Sequence, residues 1–177
     1  MTPPGSLCGR RRSFAALFTL LSTSALLASC DGVGEIDARR SALAAARARW
    51  DAQSAVDYDF VDRRLCFCAG PSAWITHVRS GAVTDVEVID TDTYGEDPQV
   101  LHDRALTWAR TIPETFDWLE DAIEEADQYR AEYSRTLGVP SHVAIDFSEP
   151  AADDEITIEV GSVNLLGGAP APVVGTR

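Results

Sequence analysis

This sequence predicts an α+β domain: one antiparallel sheet with two main helices on one of its faces. Three observations carry that expectation. Leu43, Ala46 and Trp50 recur at helical spacing in one segment, and Phe116, Leu119, Ile123 and Ala126 do so in another. Six further segments read as strands, several of them alternating apolar and polar residues with a period of two. The links within each strand group are short and rich in turn residues, which suits antiparallel hairpins rather than parallel crossovers.

The elements follow in order. Asp31 to Ile36 reads as a short polar tether, and Asp37 is placed to cap a helix over Ala38 to Ser54. Tyr58 and Phe60, flanked by Asp57, Asp59 and Asp62, mark a strand from Val56 to about Phe67, broken by Ala69-Gly70-Pro71. Trp74 to Val78 is the second strand, Ser80-Gly81 a two-residue turn, and Val83 to Ile89 the third. A polar loop over Asp90 to Pro98 leads to a weak helix from Pro98 to Arg110. Thr111 with Glu114 three residues on fits a capping box for the second main helix, and Pro113 is tolerated in its first turn. Strands follow at Tyr129 to Arg135, Val143 to Phe147 and Ile156 to Val160, with a turn at Leu137 to Pro140, and residues 165–177 read as a flexible Gly/Pro-rich tail. Helix and three strands thus occur twice in order, which admits either a tandem repeat or independent use of the same hairpin grammar.

The N-terminus precedes this domain, which spans residues 37–164. Arg10 to Arg12 are followed by an uncharged apolar run from Ser13 to Leu27, the length of a signal core and too short to span roughly 30 Å of hydrocarbon. Leu27-Ala28-Ser29-Cys30 looks like a bacterial lipobox, with small residues before a cysteine thiol. Residues 1–29 are therefore expected to be a signal peptide, and 30–36 a lipidated Cys30 with its tether. Two acyl chains on one thioether lipid are enough for stable anchoring. Arg11-Arg12-Ser13-Phe14 also resembles a twin-arginine signal, although a plain basic leader accounts for it equally.

Charge narrows the partners. The chain has 28 acidic and 15 basic residues, a net charge of −13, and loss of the leader removes three of the arginines. Such a surface repels phosphate backbones, so nucleic acid is not an expected partner. It also repels anionic headgroups, which leaves the lipid on Cys30 to hold the chain at the membrane, facing the extracytoplasmic side of the cell envelope.

After processing, Cys66 and Cys68 are the remaining cysteines. On a fully extended strand their Cα atoms would stand about 6.6 Å apart, near the upper limit for a disulfide. A bond therefore requires a bend, which the following Ala69-Gly70-Pro71 could allow. Disulfide, free thiols and soft-metal binding all remain open.

Other chemistry is sparse. Asp90-Thr91-Asp92-Thr93-Tyr94-Gly95 partly matches a calcium loop, but Tyr94 and Leu101 stand where ligands belong. His77, His102 and His142 lack metal-ligand spacing, and no nucleophile elbow, Walker or dinucleotide glycine pattern occurs. Trp50, Tyr58, Phe60 and Trp74 could line a ligand cleft, although aromatics at such periods are more often core.

Trp50, Asp57-Tyr58-Asp59-Phe60, Cys66-Phe67-Cys68 and Val78-Arg79-Ser80-Gly81-Ala82-Val83 stand in order. Phe116-Asp117-Trp118-Leu119, Gly138-Val139-Pro140, Ile145-Asp146 and Asp153-Asp154-Glu155-Ile156 follow. In this combination the chain resembles the bacterial lipoprotein family called domain of unknown function 6174, over roughly Ala38 to Val163. It departs at Tyr133-Ser134, where the family often has Tyr-Asp. The resemblance implies a fold and an envelope location but no activity, cofactor or catalytic residue. The expectation is an envelope lipoprotein with a non-catalytic protein- or ligand-binding module and an envelope protein as one partner; the alternative is thiol redox or soft-metal handling through Cys66 and Cys68.

Overall fold

The computed structural model describes residues 31–91, 95–151 and 153–167. Residues 1–30, on which the expected signal peptide and lipidation at Cys30 fall, residues 92–94 of the Asp90 to Gly95 motif, Ala152 and residues 168–177 lie outside them.

Nine elements follow one another: α1 (Asp31–Asp51), β1 (Tyr58–Cys66), β2 (Pro71–Arg79), β3 (Ala82–Thr91), α2 (Pro98–Trp108), α3 (Ile112–Glu125), β4 (Gln128–Tyr133), β5 (Pro140–Asp146) and β6 (Glu155–Leu165). The strands form one six-stranded sheet in the order β3-β2-β1-β6-β5-β4, every pair antiparallel. The expected α+β architecture holds, with a third helix where the weaker pattern lay.

Most boundaries shift by one to a few residues, and two of the shifts change what a segment does. Asp31 to Ile36 is the first part of α1 rather than a tether, so Asp37 lies inside the helix and does not cap it. Ile36 packs against the core together with Leu43, Ala46 and Trp50, which continues the same stripe toward the N-terminus. Leu165, expected to begin a loose tail, instead ends β6 opposite Tyr58 of β1.

The order of elements repeats, but the path through the sheet does not. The first three strands run from the centre to one edge, whereas β4 to β6 start at the opposite edge and return to the centre. The two halves meet where β1 pairs with β6, between Tyr58/Leu165 and Cys66/Ile156.

Alternation along β1 decides which face is buried. Tyr58 and Phe60 face the helices together with Trp74, Thr76 and Val78 of β2 and Val160 of β6. α1 and α3 cover the part of the sheet nearer β4, giving a core of Trp50, Tyr58, Phe60, Ile112, Phe116, Leu119 and Ile123 among others. α2 closes the other end, where Ala105 packs with Trp74 and Val86 in a smaller cluster.

Local chemistry sets the connections. Ser80 and Gly81 both have positive φ, 52° and 77°, the geometry of the two-residue turn that matches strand twist. The Thr111 side chain accepts the Glu114 N–H at the start of α3, and Glu114 accepts the Thr111 N–H at 2.8 Å in return. Asp97 caps α2 by accepting the Gln99 N–H at 2.8 Å. The Tyr58 hydroxyl accepts the buried Ile112 N–H at 3.1 Å, tying α3 to the central strand.

Candidate functional site

β1 carries its inward alternation one step too far for a purely apolar core. After Tyr58 and Phe60 the next residue on that face is Asp62, and after it Arg64. Asp62 lies opposite Trp74 on one side and Val160 on the other, beneath the segment that joins α2 to α3. A cavity opens there. Its walls include Asp62, Arg64, Arg110 and three of the chain's four tryptophans, Trp74, Trp108 and Trp118.

The cavity is narrow: about 340 Å³ of space lies between its walls and in the open solvent at its mouth, but the interior has room for only about one water-sized group. Trp74 is fully buried at its base and donates its indole N–H to Thr76 Oγ1 at 3.1 Å. Trp108 and Trp118 are part-exposed, and each is covered by an arginine: Arg64 lies 4.9 Å from the centre of Trp108, and Arg110 5.0 Å from Trp118. Such stacking orders a guanidinium without using its N–H donors. No carboxylate among the described residues approaches either guanidinium within ion-pair distance. Arg104 of α2, by contrast, is paired to Glu96 at 2.8 Å.

Asp62 keeps partial contact with solvent but is densely surrounded by protein. Loss of hydration pushes its carboxyl from 3.8 up to about 7, against the attraction of Arg64 and Arg110. Desolvation also lowers Arg64, and the like charge of Arg110 adds to that effect. A carboxyl that titrates near neutrality inside an aromatic cleft, beside two cations without an ion-pair partner among the described residues, is the kind of perturbed group found at functional sites.

Gly70 makes the arrangement possible. It adopts φ 151°, and a Cβ there would collide with the Trp108 ring. The break after β1, which reads as a simple strand terminator, therefore lets α2 lay its last aromatic residue against the sheet.

The cysteines bend as the disulfide reading required. β1 ends at Cys66, the Cα atoms of Cys66 and Cys68 stand 5.2 Å apart rather than at the extended spacing, and the two are disulfide-bonded. Cys68 is exposed, and Phe67 between them is 83% exposed. Among the described residues no three His, Cys, Asp or Glu side chains come together as a metal site.

The histidines take part in pairs. His77 and Arg79 both meet Asp59 at 2.8 Å on the face of the sheet away from the helices. Burial opposes ionisation of Asp59, yet the bonds from Arg79 and His77 hold its carboxyl below the usual range. His102 joins α2 to β3 through Asp85 at 3.0 Å, and His142 meets Glu159 at 3.1 Å.

Of the aromatics that read as cleft candidates, only Trp74 lines the cavity. Trp50, Tyr58 and Phe60 are core, with Trp50 set edge-on to Tyr58 at 5.0 Å. Asp62, Arg64, Trp108, Arg110 and Trp118 were missed as a group. One signal was present: an acid in register with two inward aromatics. A second, wider groove runs beside α1 and β4, but it is shallow and its walls mix acids with Arg39 and Arg130 on the open surface.

Fold and site together define a small α+β domain with a tryptophan-walled, charge-bearing cavity and no recognisable catalytic constellation among the described residues. The chain belongs to the family of unknown function DUF6174, whose model matches residues 42–165. No curated protein matches it.

Proposed function

We propose that this protein is an extracytoplasmic lipoprotein, anchored through Cys30, whose domain is a non-catalytic module that binds a small ligand in the cavity over Asp62. The observation that carries the ligand reading is the convergence on one desolvated carboxyl of three tryptophans and two arginines that have no ion-pair partner among the described residues. Most small-molecule sites have this composition, an apolar wall with a few polar groups that fix orientation. The leader sequence, with Cys30 after Leu27-Ala28-Ser29, supports the anchor. No helix among the described residues is long and apolar enough to cross a membrane, so a lipid would be the means of attachment on this reading.

Two experiments test these parts separately. Native mass spectrometry of the chain purified from its own envelope should show a bound small molecule that is lost in Trp108→Ala; an unliganded spectrum under gentle conditions, or retention in that variant, argues against the cavity. Replacing Cys30 by Ala should abolish incorporation of labelled palmitate and release the chain from membranes. Continued labelling would sink the anchor.

Exposure of the Cys66–Cys68 pair supports a second reading, thiol exchange with an envelope partner. The bond closes a loop too small to stabilise the fold much through chain entropy. Intact mass after alkylation, with and without mild reductant, decides it: ready reduction favours exchange, and resistance favours a fixed strap. Soft-metal binding would require both thiols free.

A further inference from the structure

We infer that the cavity over Asp62 receives the carboxylate head of a small organic acid, which Arg64 and Arg110 bind while Asp62 takes up a proton from solvent. This deepens the ligand-binding reading and rests on it.

Four observations lead there. First, two guanidiniums line one cavity and neither has a carboxylate within ion-pair distance among the described residues. Each is steered by a tryptophan, so its donors stay available. Guanidinium recognises carboxylate through parallel N–H donors. Second, the interior holds about one water-sized group, so one carboxylate oxygen enters it while the rest of the ligand stays at the mouth. Third, the lining is otherwise apolar: Trp74, Trp108, Trp118, Ile158 and Val160, with Thr115 already donating its hydroxyl to the Thr111 carbonyl at 2.9 Å. That environment favours a monoanion over a heavily hydrated phosphate, and the strongly acidic protein repels multiply charged anions at long range.

The fourth observation concerns Asp62. The charged groups that face it are Arg64 on its own strand and Arg110 from the segment between α2 and α3. β2 and β6 present Trp74, Ile158 and Val160, α2 presents Trp108, and α3 presents Thr115 and Trp118, none of them charged. An ionised Asp62 would compete with an incoming carboxylate for both arginines. A protonated Asp62 gives up that competition and becomes an O–H donor to the ligand instead. Binding and protonation are therefore linked, and because Asp62 titrates near neutrality the exchange falls in an ordinary pH range.

The test uses the full-length chain, nitrogen-15 labelled, in detergent, titrated with sodium acetate and separately with acetamide at constant ionic strength. Acetate stays ionised across the range used, and acetamide has nearly its shape without its charge. The indole N–H signals of Trp108 and Trp118 report on the cavity; that of Trp50, in the other core cluster, is the control for folding. Acetate should shift the cavity signals saturably and leave Trp50 in place. Its dissociation constant should be roughly tenfold larger at pH 8 than at pH 6 as Asp62 loses its proton. Asp62→Asn should bind acetate equally, within about twofold, at both pH values. Arg110→Gln and Arg64→Gln should each weaken it by about tenfold or more.

Acetate affinity that does not change with pH in the native chain, or pH dependence that persists in Asp62→Asn, overturns the inference. Acetamide binding as well as acetate overturns it while leaving a ligand cavity in place. Absence of a saturable response to either probe, with Trp50 unmoved, removes both the inference and the cavity reading on which it rests.

Discussion

Replacing Asp62 by Asn keeps the shape of the side chain and removes its titration. In the folded chain the carboxyl is raised from 3.8 to about 7 because burial costs it hydration that Arg64 and Arg110 only partly restore. At about 1.4 kcal/mol per pH unit, that difference corresponds to an upper figure of about 4 kcal/mol. The sign follows from proton counts. Between the two values the folded chain holds a proton that the unfolded chain has released, so raising the pH favours unfolding. The stability associated with the neutral carboxyl is complete below 3.8, falls as pH rises, and is lost once pH passes about 7. Asp62→Asn should therefore stabilise the chain at pH 8 by about 2–4 kcal/mol, with partial solvent access to the carboxyl accounting for the lower figure. The gain should shrink between pH 8 and pH 5, by about 2.5 kcal/mol at the upper figure and about 0.6 kcal/mol at the lower. Urea unfolding of both chains, followed by tryptophan fluorescence across that range, measures it, and the difference between them cancels every other titrating group. A gain that is flat with pH would refute the argument. So would a loss at pH 8, because it would mean that Asp62 is ionised and held by its arginines.

Two further outcomes follow from single contacts. Tyr58→Phe keeps the ring against Trp50 but orphans the buried Ile112 N–H at the start of α3; equilibrium unfolding should show a loss of about 1–3 kcal/mol, and a change below about 0.5 kcal/mol would show the amide finding another partner. His102 should titrate above its ordinary 6.5, because bonds to Asp85 and then Asp103 favour the imidazolium. Its small contribution to stability is complete below 6.5 and lost as pH rises through the higher folded value. Proton NMR titration should find that value falling back in Asp85→Asn, and an unchanged value would separate His102 from Asp85.

Much of the fold was legible because its signals are local. The capping box at Thr111 and Glu114 needs only four residues, and the Ser80-Gly81 turn needs only two that tolerate positive φ. Strand periodicity placed all six strands, since alternation is imposed by the pleat of each strand by itself. The helical reading of α1 was also sound over its apolar stripe, but its start was not. Asp31 to Ile36 has little apolar periodicity, and Ile36 adds to the stripe by packing on the core.

The pairing of β1 with β6 was not legible. It joins residues about a hundred positions apart, and no local pattern distinguishes that closure from other orders of the same strands. The Cys66–Cys68 bond turned on a bend that sequence could permit but not measure.

The site shows the same division. The two-residue spacing of Tyr58, Phe60 and Asp62 was available in the sequence, although Asp62 was grouped there with Asp57 and Asp59 as a flanking acid, and the register of β1 shows it on the inward face. Whether that face would be covered by apolar side chains, by water or by cations depended on which element crossed over it. Tertiary structure brought Trp108, Arg110 and Trp118 there from the end of α2, the segment after it and the first two turns of α3, with Gly70 leaving the room for Trp108. Desolvation depends on every neighbour within several ångströms, whatever its place in the chain. The residue was therefore present in the sequence pattern, while its altered acidity came from the packing of segments that the pattern does not connect.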